Sequence, residues 1–118
     1  MPFKFEKLEI WKLAIAYAND VHLLTRKFPK EEMFSLNSQF KRSADSGALN
    51  ISEGAIGQSD AEQKKFLGYA IRSISECVSC LYLSIMRKYI TQEEFDAFYK
   101  RAEELFAKTN KFRNGIGD

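Results

Sequence analysis

Ser59 and Glu62 open the longest uninterrupted pattern in the chain. Their S-x-x-E spacing is that of a capping box, in which the two side chains satisfy amides that a helix start leaves orphaned. Behind it Phe66, Ala70, Ile74, Cys77, Leu81 and Ile85 recur at three- and four-residue steps. This predicts a helix over about 60–89, on the order of 45 Å long at 1.5 Å per residue. A rod of that length buries its apolar face only against other long elements.

Three more such elements are legible. Leu8, Trp11, Ile15, Ala18 and His22, with Ala14, Tyr17, Val21 and Leu24 beside them, predict a helix over about 8–27. Phe28, restricted by Pro29, ends it. A second helix spans about 36–55, with Gly54 and Gly57 marking its exit. Thr91 and Glu94 form another capping box ahead of a helix over about 92–113, whose seam is Phe95, Phe98, Ala102, Leu105, Thr109 and Phe112. The tail NGIGD is expected to fray. Joints this short make consecutive helices antiparallel neighbours, so the expected architecture is all-α: one domain, an up-down-up-down antiparallel four-helix bundle.

The 118 residues suit one core, and 45% hydrophobic with 29% charged residues is an ordinary globular balance. A net charge of +2 does not by itself demand an anionic partner. The opening MPFKFEKLEI has no apolar secretory core and no stretch is long enough to span a membrane, so a cytoplasmic protein without membrane contact is expected.

The second helix is the odd one. Leu36, Phe40, Ala44, Gly47, Ile51 and Gly54 make a narrow core stripe. Gln39, Ser43, Ser46, Asn50 and Glu53 make a polar stripe along its edge. Polar groups at a helix contact must find partners, since one buried unmatched costs roughly 1 to 3 kcal/mol. Three readings are open: an intramolecular polar seam, a subunit interface, or a surface for a ligand or nucleic acid.

The segments FPKEEMFSLNSQFKRSA, NISEG and FLGYAIRSISE resemble the 23S ribosomal RNA intervening-sequence proteins, a family that includes the accessory protein of diversity-generating retroelements. Leu8, Trp11, Phe28, Pro29, Glu32, Leu36, Gln39, Arg42, Ser46, Asn50, Ile51, Glu53, Gly54, Phe66, Leu67, Ala70, Ser73 and Glu76 follow the family pattern in order. Asp45 and Gly47 stand where the family usually has apolar residues, Gln58 where it has a basic one, and Arg72 where it has Gly. The resemblance implies a bundle that assembles into a homo-oligomeric ring, commonly a pentamer, with members contacting RNA or DNA through a basic surface.

The residues offer little for catalysis. His22 is the only histidine, and its place on the first helix reads as a satisfied core or interface residue. Asn19 stands where a Glu-x-x-His iron motif needs glutamate. Glu53 and Glu76 could approach one another between helices. Cys77 and Cys80 form a CxxC inside a helix, which reads as two small semi-buried thiols rather than a redox or zinc motif. No catalytic residue, metal or cofactor is expected.

In the assumed topology one pole gathers Arg26, Lys27, Lys30, Lys41, Arg42, Arg87 and Lys88 against Glu31, Glu32, Glu93 and Glu94. Arg26, Lys27, Lys41, Arg42, Arg87 and Lys88 are the candidate phosphate contacts, an excess that a ring would repeat around an annulus. Tyr82, Tyr89 and Tyr99 are candidates for base stacking, or equally for packing on the bundle. The function expected is therefore a non-enzymatic oligomeric bundle that binds RNA or DNA. The alternative is a protein-interaction or scaffold module without nucleic-acid binding.

Overall fold

A computed structural model describes residues 2–57 and 59–117; Gln58, one of the departures from the family pattern, lies outside the described residues. Four helices follow one another, α1 (Glu9–Leu24), α2 (Leu36–Ala55), α3 (Asp60–Met86) and α4 (Gln92–Asn114). They form an antiparallel bundle of 44 × 22 × 22 Å. Short 3-10 turns at Lys4–Lys7, Thr25–Lys27 and Lys30–Glu32 flank α1 and lead into α2.

The caps explain the boundaries. Thr91 Oγ1 accepts from Glu94 N at 3.1 Å while Glu94 Oε1 accepts from Thr91 N at 2.9 Å, a complete capping box. At α3 only half of the expected box forms: Ser59 Oγ accepts from Glu62 N, and the Glu62 carboxylate turns to Lys65 at 3.1 Å. Phe28, extended at ψ 148°, obeys its proline. The last expected turn of α1 tightens into the 3-10 turn Thr25–Lys27.

The end of α3 differs more. The expected helix to residue 89 stops at Met86, because Lys88 adopts φ 64°. Tyr89 N then reaches back to Ser84 O at 2.9 Å and Lys88 N to Ile85 O at 3.0 Å. Those two bonds are a Schellman closure, with lysine in the left-handed position that glycine usually fills.

Packing is uneven around the bundle. α2 and α3 share the most extensive contact, then α3 with α4 and α1 with α2, while α1 and α4 meet least. Small residues on α2 explain the first. Gly54 lies so close to α3 that a methyl group there would sit 3.1 Å from Phe66 Cβ and 3.2 Å from Gln63 O. The α1–α4 gap is closed by long side chains instead. Arg101 pairs with Asp20 at 2.8 Å and lies over the rings of Tyr17 and Phe98, and Tyr17 Oη donates to Phe98 O at 3.2 Å.

All six residues of the expected α2 core stripe are buried, as are Ala70, Ile74, Cys77 and Leu81 of α3 and Ala102, Leu105 and Thr109 of α4. On α1 the centre of the buried face is corrected. Ile10, Ala14, Tyr17, Ala18, Val21 and Leu24 are inside, whereas Ile15 is 42% exposed and Trp11 and His22 are half-buried. Apolar residues cover so much of that helix that its pattern does not single out the central line.

Candidate functional site

The ends of the helices meet at one pole as the short joints require. Lys27, after α1, forms an ion pair with Glu94 at the start of α4. Arg87, at the end of α3, donates to Glu32 before α2 at 3.1 Å. Those two pairs divide the candidate phosphate contacts. Lys27 and Arg87 are engaged within the chain, whereas Arg26, Lys41, Arg42 and Lys88 have no ion-pair partner among the described residues. Arg26, Arg42 and Lys88 are exposed and Lys41 is half-buried.

Glu32 is the organising acid of this pole. Its Oε1 accepts from Ser35 Oγ at 2.8 Å and its Oε2 from Tyr89 Oη at 2.6 Å as well as from Arg87. The Tyr89 hydrogen bond, then that of Ser35, holds its carboxyl below the usual carboxylate range, and the same bond pushes the Tyr89 phenol up. The Glu94 carboxyl is likewise lowered, by Lys27 first and then by the Thr91 amide. Two of the four acids at this pole are thus occupied internally, and Glu31 and Glu93 remain exposed.

Lys41 and Arg42 help line an open depression of about 630 Å³ between α1 and α2, together with Ser38, Ser46, Leu49 and Asn50. His22 lies there too, its Nε2 3.0 and 3.1 Å from the two carboxylate oxygens of Asp45. Asp45, a departure from the family pattern, thus stands opposite the only histidine. No periodicity within one helix signals that pairing.

The polar stripe of α2 divides in two. Gln39 Nε2 and Ser43 Oγ both donate to Glu76 Oε2 of α3 at 3.0 Å. Ser46 Oγ accepts from Asn50 Nδ2 at 2.9 Å and shares a hydrogen bond with Ser73 Oγ of α3, also at 2.9 Å. Glu53 is exposed and its carboxylate has no polar partner among the described residues; it borders a groove of about 460 Å³ with Ile56, Glu62 and Phe66. Glu53 and Glu76 do not converge. Glu76 lies level with Gln39 and Ser43, about three helical turns from the Glu53 groove.

His22 is half-buried at a helix edge rather than in the core. Cys77 and Cys80 are both buried free thiols, and burial pushes the Cys80 thiol up to about 11 and that of Cys77 higher still. Among the described residues no cluster of three metal-ligating side chains occurs, and no helix is long and apolar enough to cross a membrane. The three tyrosines pack on the bundle: Tyr82 against Phe95 and Tyr99, Tyr99 stacked on Phe95, and Tyr89 against Phe28. Tyr82 nonetheless keeps 52% of its surface exposed.

A family model for the 23S rRNA-intervening sequence protein matches residues 6–111. Among solved structures, the chain superposes with a TM-score of 0.83 on a protein of unknown function from the S23 ribosomal protein family of Bacteroides thetaiotaomicron. The two are 24% identical over 89% of this chain and 95% of that one, a likeness of fold. No curated protein matches the chain. With the match running from the turn before α1 to the last turns of α4, the chain belongs to the 23S rRNA-intervening sequence protein family.

Proposed function

We propose that this protein is a non-enzymatic, ring-forming accessory protein of the cytoplasm that binds structured RNA or DNA through its basic pole. The observation that carries this reading is the sorting of charge there. Glu32 and Glu94 are held by internal partners, while Arg26, Lys41, Arg42 and Lys88 are left without acids of their own. Cations free of internal pairs are available to displace the counterions of a phosphate backbone. The family name points to ribosomal RNA, and a ring, for which a homopentamer is the arrangement we favour, is what the resemblance to this family implies.

A ring repeats the basic pole once per subunit and sums the fields. In this reading Arg26, Lys41, Arg42 and Lys88 contact phosphates directly, with Lys27 and Arg87 joining by exchanging their carboxylate partners. Asn50 and Glu53, at the less engaged end of the polar stripe, serve the subunit contact, and Gln39, Ser43 and Ser46 the seam with α3.

Fluorescence anisotropy with a labelled RNA hairpin and a DNA duplex tests the binding. Affinity is expected to fall steeply between about 50 and 200 mM salt, and replacing Arg26 and Arg42 by Gln to flatten that slope. No binding at low salt, or binding indifferent to salt, overturns it. A second reading, a protein-interaction or scaffold module, is favoured by exposed Leu49, Ile56 and Met86 at 64%, 63% and 78%. Recovery of a discrete protein partner after nuclease treatment would select it.

A further inference from the structure

Phe34 is 92% exposed, more than any other large apolar residue described. It does not sit on a slack loop. Ser35 N donates to Glu32 O at 3.1 Å, Ser35 Oγ to Glu32 Oε1 at 2.8 Å, and Glu32 is itself held from α3 by Arg87 and Tyr89. The turn that carries Phe34 is therefore tied on both sides to the body of the bundle, and the ring is held out in water by a fixed frame.

Elsewhere the molecule carries an opening of suitable character. Between α3 and α4 lies an open slot of about 260 Å³ lined by Ile74, Val78, Tyr99, Ala102 and Phe106. Phe106 is 39% exposed at its edge. Glu103 stands at the rim, exposed and without an ion-pair partner among the described residues. Lys30, four residues before Phe34, is likewise exposed and without one. An exposed phenyl ring four residues from an unpaired lysine thus complements an apolar slot that an unpaired glutamate helps line.

We infer that the Phe34 ring of one copy of this chain inserts into the α3–α4 slot of the next copy, with Lys30 reaching Glu103 across the junction. The inference rests on the self-association proposed above and names its apolar anchor, in addition to the polar contribution of Asn50 and Glu53. Donor and acceptor surfaces are different patches of one molecule, so the junction is head to tail, the kind that propagates until rotation closes it into a ring. An apolar anchor in a pocket, ringed by a polar edge, is also the usual form of an energetic hot spot.

Light scattering on the full chain tests this. The wild type is expected at several times 13.6 kDa. Phe34→Asp removes the knob and leaves the slot; Ser75→Arg lays a charged stem across the slot's mouth and leaves the knob. Both positions are exposed, so helicity by circular dichroism should be unchanged. Each variant alone is expected to be monomeric, and an equimolar mixture to yield a two-chain species, because one intact junction survives. Phe34→Ala should raise the concentration for half-dissociation by on the order of 30-fold.

A wild-type monomer removes the self-association reading and this contact with it. A wild-type oligomer whose Phe34→Asp variant still assembles, or whose two variants do not complement, removes the contact alone. Normal assembly of Phe34→Asp with lost RNA binding assigns the ring to nucleic acid instead, and also overturns the inference.

Discussion

Tyr89 Oη donates to Glu32 Oε2 at 2.6 Å across 57 positions of sequence, and this bond fastens the end of α3 to the turn before α2. The bond is favoured in one protonation state of each partner, a charged carboxylate and a neutral phenol, so it is sensitive to pH on both sides. Glu32 titrates below its ordinary value of 4.5 in the folded chain. Its contribution is therefore complete above about that pH and is lost as pH falls through the lowered native value. Tyr89 is raised from 10.0, so its contribution is complete below about that pH and is lost as pH rises through the native value. Melting temperature against pH should be flat between these limits and fall beyond both. Tyr89→Phe should lower the plateau by a few degrees and shrink both flanks; flanks of unchanged depth in the variant would contradict the assignment.

Lys88 holds a left-handed backbone at φ 64° to close α3. That conformation costs an ordinary residue on the order of 1–2 kcal/mol, and glycine pays none of it, although glycine also has more chain entropy to lose. Lys88→Gly should leave stability unchanged or raise it by up to about 1 kcal/mol in urea unfolding. Lys88→Val, branched at Cβ, should lose stability by a comparable or larger amount. Binding of RNA by the glycine variant, compared at several salt concentrations, separates the turn's backbone role from the proposed phosphate contact.

How far the sequence foretold this molecule depends on how local each signal is. The bounds of α2 and the Thr91 box were readable because cap and periodicity lie within one element. The early end of α3 was not, since a lysine gives no advance sign of a left-handed conformation. The same division runs through the candidate site. That the α1–α2 joint and the α3–α4 joint share one pole follows from short joints alone, whereas the loss of Lys27 to Glu94 and of Arg87 to Glu32 depends on side chains brought together from distant segments. Glu32 and Asp45 took on their roles through residues on other elements, Tyr89 and His22, and no spacing within a helix announces such partners.

Thr109 is fully buried on α4, and its Oγ1 has no hydrogen-bond partner among the described residues. A hydroxyl desolvated without compensation costs roughly 1–3 kcal/mol. Valine keeps the branched shape and replaces the oxygen with a methyl group. Thr109→Val is therefore expected to raise stability by about 1 kcal/mol in denaturant unfolding with an unchanged m-value. Thr109→Ser, which keeps the hydroxyl and opens a methyl-sized void, should lower it. Destabilisation by valine would mean that the hydroxyl has a partner, such as an ordered water.

Gly47 and Gly54 lie on the same buried stripe of α2, two turns apart, and only Gly47 should gain stability from alanine. Alanine is favoured over glycine within a helix by about 1 kcal/mol, so where space exists the methyl group stabilises. At Gly47 the new Cβ would lie 3.7 Å from Ile74 Cγ1, an ordinary contact, and Gly47→Ala should gain about 0.5–1 kcal/mol. At Gly54 it would meet Phe66 Cβ at 3.1 Å and the backbone carbonyl of Gln63 at 3.2 Å. Neither is the end of a flexible chain, so relief requires α2 and α3 to part along their most extensive contact. The expected overpacking cost of about 1–3 kcal/mol cancels or exceeds the propensity gain, leaving Gly54→Ala neutral to less stable by up to about 2 kcal/mol. Paired urea titrations check the contrast: equal gains at both sites would show that the Gly54 crossing has slack and that propensity alone governs α2.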